Sequence, residues 1–179
     1  LGLDFALWDA AQSRYDAWRN KVAEQAAPPP NADSPSCAYS EGDDAGIWLM
    51  GGWYPRAVRG DGVAEWWAGP SAISEIRVRR RPEHTCLRFE IPAIVHLKHE
   101  AITVVDETRD RPLRLRTAPT ADAAVMEMTI DLPPEAGPNP RLLIQVPRAG
   151  SFIEVNPEST DGQRRSFCSQ NWSLGTAPA

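Results

Sequence analysis

A chain of 179 residues, 42% of them hydrophobic and 24% charged, has the makeup of one globular domain, long enough to bury a core without disulfide or metal staples. Seventeen prolines exclude a helical bundle, because each Pro in a helix interior costs about 3 kcal/mol. A net charge of -5 argues against a general nucleic-acid partner, and no stretch approaches the ~20 apolar residues of a membrane span.

The first segment predicts an amphipathic helix over residues 1–27. Leu1, Trp8, Ala11, Tyr15, Trp18 and Val22 recur at steps of three, four and seven, and Gly and Pro are absent from Leu3 to Ala27. Pro28-Pro29-Pro30 must end it, since the residue before a Pro is pushed out of the α region. An isolated helix of this length is marginal in water. Its stripe of Trp8, Tyr15 and Trp18 is therefore a candidate docking surface for the following domain, a neighbouring domain or a second copy. Residues 28–45 have the composition of a Pro-rich linker.

From residue 46 the period changes to two. Ile47 and Leu49, Ile76 and Val78, Leu87 to Ile91, Ile102 and Val104, Leu113 and Leu115, Met126 to Leu132, and Leu142 to Val146 all alternate with polar neighbours. Turn signals such as Asp61-Gly62, Gly69-Pro70, Pro133-Pro134 and Asp161-Gly162 separate them. The expected fold is mainly β: an antiparallel two-layer β-sandwich, jelly-roll or Ig-like, over residues 46–175, with a disordered tail over 176–179.

Cys37, Cys86 and Cys168 show no C-x-x-C spacing and leave one thiol over in any pairing, which fits a reducing, cytoplasmic setting rather than a disulfide framework or zinc site. No G-x-S-x-G, P-loop, G-x-G-x-x-G or H-E-x-x-H motif is present, and no cofactor is expected. His96 and His99 stand three apart, on opposite faces of any strand, so they predict no metal pair. Asp61 and Glu65 are the carboxylates that a small glycan-active hydrolase would use. The plainer reading is solvated turn acids.

Two features point to binding. Trp48, Trp53, Tyr54, Trp66 and Trp67 crowd one stretch, and adjacent Trp66 and Trp67 on a strand must face opposite sides. An exposed indole or phenol suits stacking on a sugar ring, which makes Trp48, Tyr54 and Trp67 candidates; the alternative is that the rings fill the core. A basic strip from Arg77 to Arg116 holds ten Lys/Arg against six Asp/Glu. Arg77, Arg79 and Arg114 are its candidate polar contacts, able to grip carboxylates or acidic sugars through paired donors, unless neighbouring acids balance them as a solvated face. Arg59-Gly60-Asp61 leads into a turn, and no function is assigned to it.

Gly52-Trp53-Tyr54-Pro55, a polar loop, and Glu65-Trp66-Trp67 running into the strand from Ala72 to Arg79 form a pattern. It resembles the β-sandwich accessory domain attached to bacterial glycosyltransferases and methyltransferases of surface-polysaccharide synthesis. Those domains carry an acid after the Pro and an Arg before the Trp, where Arg56 and Glu65 stand here. Asp161-Gly162-Gln163-Arg164-Arg165 before Phe167 is similar to their closing Asp-x-Arg segment. The resemblance implies a noncatalytic module that contacts a glycan or polysaccharide, or else its own glycosyltransferase domain, with the helix as connector; self-association through the helix is the other partner expectation. The Trp-Tyr-Pro turn reads as a structural corner, with Gly51 and Gly52 allowing close backbone approach and Trp53 plugging one end of the sandwich.

Overall fold

The computed structural model describes residues 36–95, 98–156 and 158–176. The expected helix with Trp8, Tyr15 and Trp18 lies outside the described residues, as does His96.

Two six-stranded antiparallel sheets face each other across one core. The first runs in the order β1 (Ser36–Glu41), β2 (Ala45–Leu49), β5 (Ile73–Arg79), β11 (Arg141–Gln145), β7 (Thr103–Asp106), β8 (Arg111–Leu113). The second runs β3 (Ala57–Val58), β4 (Ala64–Trp67), β14 (Phe167–Gly175), β6 (Cys86–Ile94), β10 (Met126–Asp131), β9 (Leu115–Pro119). A two-stranded ribbon of β12 (Gly150–Ser151) and β13 (Arg164–Arg165), with the one-turn helix α1 (Phe152–Val155), precedes β14. Hairpins aside, successive strands change sheet, so neither sheet is built from one stretch of chain.

The period-two positions make the core. Ile47, Leu49, Ile76, Leu142 and Ile144 of the first sheet meet Leu87, Phe89, Met128, Ile130 and Phe167 of the second, each at most 1% exposed. Burying side chains of this size contributes about 1.5–3 kcal/mol apiece before chain entropy is offset.

Two expectations are corrected. Leu113 and Leu115 belong to different sheets, on β8 and β9, with Arg114 at the switch. The alternation runs through unbroken because a chain passing from one sheet edge to the other keeps its inward side toward the same interior. The sandwich also starts earlier, since β1 lies inside the stretch read as linker. As an edge strand β1 needs little apolar alternation: its backbone pairs with β2, and only Ala38 and Tyr39 pack on the core.

The Trp-Tyr-Pro corner joins the sheets. Trp53 is 3% exposed, donates from Nε1 to the Glu75 carbonyl at 3.0 Å, and stands edge-on to Phe167 and Trp172. Gly52 has φ +81°, and a Cβ there would sit 2.2 Å from the Ile73 carbonyl oxygen. At Gly51 a Cβ would meet nothing within 4 Å, so the close approach expected of both glycines belongs to Gly52 alone.

Candidate functional site

The outer face of the first sheet is set by its inner one. With Ile47, Leu49, Ile76 and Leu142 turned inward, the residues between them must face out. Register then aligns Trp48 of β2 with Arg77 of β5, and Arg77 with Arg141 of β11. These three, with Met50, Arg79 and Pro140, line an open cleft of about 480 Å³. That volume suits a small ligand or one to two sugar units.

The indole of Trp48 lies along its strand above Gly46, where a Cβ would come within 2.7 Å of the ring edge. Arg79, opposite Gly46 in register, lays its guanidinium 5.6 Å from the ring centroid and donates from Nη1 to the Asp43 carbonyl at 2.8 Å. Glu75 organises the other two arginines. Its carboxylate takes a fork from Arg141 at 2.6 and 2.8 Å and a single bond from Arg77 Nε at 3.2 Å. Arg141 Nε also stands 2.6 Å from Glu107. The Arg141 fork above all, against the opposing effect of burial, holds the Glu75 carboxyl below the usual carboxylate range. Arg77 Nη1 and Nη2 meet no acceptor among the described residues. A flat apolar plane beside unfilled guanidinium donors can take a ring that carries polar or anionic substituents.

Of the six sequence-predicted ligand residues, Trp48, Arg77 and Arg79 come together here and the other three do not. Tyr54, expected as a stacking ring, is buried at 7% exposure, and its hydroxyl donates to the Arg164 carbonyl at 3.1 Å. Trp67 is half-buried on the other sheet, edge-on to Phe152. The Arg165 guanidinium lies 5.1 Å from the Trp67 ring and 5.6 Å from Tyr54, and Asp161 holds it at 3.0 Å. The two stretches that carry the family resemblance thus pack on each other as a structural lock. Arg114 is exposed, but it sits beyond β8 at the far edge of the first sheet, with β11 and β7 between that strand and β5.

Arg141 was the residue missed. Its one signal is a polar position heading the alternating run Leu142 to Val146, and its place beside Arg77 depends on the pairing of β5 with β11, which no local pattern encodes.

The remaining candidates resolve as charge pairs. Asp61 and Glu65 both pair with Arg59, the latter at 3.3 Å. Hydrogen bonding from Arg59 holds the Asp61 carboxyl below its ordinary range, opposite to what a glycosidase general acid requires. Among the described residues no three His, Cys, Asp or Glu side chains gather as a metal site, and no helix is long and apolar enough to cross a membrane. Comparison of the chain with protein-family models, with curated proteins and with solved structures finds no match in any of the three.

Proposed function

We propose that this sandwich is a noncatalytic module of surface-polysaccharide synthesis that binds a glycan across the outer face of its first sheet. The observation that carries the reading is the outward Trp48 indole, bounded by Arg77, Arg79 and Arg141 in one open cleft. Pyranose rings present an apolar face and a rim of hydroxyls. An indole plane with guanidinium donors at its border answers both. The resemblance supplies the biological setting, and Trp48 supplies the place.

The test is a nitrogen-15 NMR titration of the protein with oligosaccharides cut from bacterial surface polysaccharides. Expected are saturable shifts of the Trp48 indole N–H and the Arg77 side-chain N–H, and an affinity loss of about tenfold or more, some 1.4 kcal/mol, in Trp48→Ala. Shifts centred on Trp67 and Arg165, or none at millimolar sugar, would sink this assignment.

A further inference from the structure

The cleft contains an obstacle as well as a platform. The Arg79 guanidinium stands 5.6 Å over the Trp48 ring, in the space a stacking sugar would need on that face. Resting on the glycan reading above, we propose that Arg79 is the specificity-determining residue of the cleft, covering Trp48 in the free protein and yielding it to a saccharide that carries a carboxylate.

The three arginines are not equivalent. Arg141 is forked onto Glu75 and also paired with Glu107, and Arg77 is tethered to Glu75. Arg79 pairs with no carboxylate among the described residues; its Nη1 bonds one backbone carbonyl and its guanidinium lies over the indole ring. It is the cleft's guanidinium with the most to gain from an incoming anion.

A neutral sugar must displace the guanidinium from the ring and offers it only hydroxyls. That lost contact weakens neutral binding about two- to fivefold. A sugar carboxylate instead gives Arg79 a planar two-oxygen partner, and charge-assisted bonds of this kind favour the acid by about tenfold or more. Arg77 stands two residues along the same face, roughly 7 Å away, with neither Nη group meeting an acceptor among the described residues, so one carboxylate can bridge the pair. Glu75 is forked by Arg141 and takes only the Nε of Arg77, which leaves the Arg77 Nη groups to the ligand.

The measurement is titration calorimetry of the whole chain with matched ligands: trigalacturonate and its methyl ester, which has the same backbone with the charges capped, followed by glucuronate and N-acetylneuraminate oligomers with their esters. Wild type should prefer an acid over its ester by about tenfold. Arg79→Gln should erase that preference and bind the ester two- to fivefold more tightly than wild type, since the uncovered indole no longer needs clearing. That opposite movement of the two affinities is the signature, because a merely structural arginine would weaken both together. Equal affinity of wild type for acid and ester, or a preference that survives Arg79→Gln, overturns the proposal and leaves glycan binding standing. Inorganic phosphate competing as well as glucuronate would also overturn it, by showing a general anion site. Failure of every ligand to bind at about 10 mM, with the native NMR spectrum intact, removes the glycan reading and this inference together.

Discussion

Arg80 carries its charge into a place where no carboxylate is hydrogen-bonded to it among the described residues. It is 8% exposed and donates to the carbonyls of His84, Leu132, Pro133 and Gly137 at 2.6 to 2.8 Å. Burial lowers its pKa from the usual guanidinium value, opposed only by the charge of Glu135. Five fixed donors on one plane are what allows a single side chain to tie the turn after β5 to the loop between β10 and β11. Arg80→Ala should therefore cost about 3–5 kcal/mol in a urea melt, because it strands buried carbonyls as well as losing the bonds. Lys, with three donors on one nitrogen, should recover only part of that. None of this was legible in the sequence, where Arg80 reads as one more member of a basic run between the outward Arg79 and Arg81. The cysteines divide as cleanly. Burial raises the Cys86 thiol and pushes the Cys168 thiol up to about 12, whereas Cys37 is exposed. A thiol count with a bulky disulfide reagent at pH 8 should find one reactive group in the native chain and all three after denaturation.

At the level of elements, the corner between β2 and β4 gives the sharpest contrast. Gly51 and Gly52 are adjacent and alike on paper, yet only Gly52 combines a positive φ with a carbonyl in the path of a Cβ. Gly52→Ala should lower stability by about 2 kcal/mol or more, and Gly51→Ala should change it by less than about 0.5 kcal/mol, as read from matched thermal melts. Trp53→Ala in the same corner should cost about 3–5 kcal/mol, since the buried ring leaves a cavity bordered by Phe167 and Trp172. The strands themselves were readable because each buries one face, and burial writes itself into every second residue. What could not be read is which strands are neighbours. Trp48, Arg77 and Arg141 share a row only through the β2–β5 and β5–β11 pairings, and Tyr54 was misjudged because its contact, Arg164, lies 110 residues away.

Over the whole molecule, Glu75 links three adjacent strands of the first sheet, reaching β11 through Arg141 and, through the same guanidinium, Glu107 just beyond β7. Its folded-state pKa lies below its ordinary value, so the ionised form is favoured by folding. The stability it contributes is then fully present above the unfolded carboxyl range near pH ~4.3 and drains away as pH falls through the lower folded pKa. Urea midpoints measured from about pH 6 down to pH 3 should fall, and Glu75→Gln should flatten that slope while lowering the neutral-pH value.

The order of strands also bears on how the chain is made. The last strand, β14, occupies the interior of the second sheet, between β4 and β6, and gives the core Phe167 and Trp172. A ribosome delivers that strand after all its neighbours, so during synthesis β4 and β6 wait with open edges and an uncovered apolar face. The module closes only when residues near Gly175 have left the exit tunnel. Nascent chains halted before that point should be protease-sensitive along their whole length, with no folded half to protect.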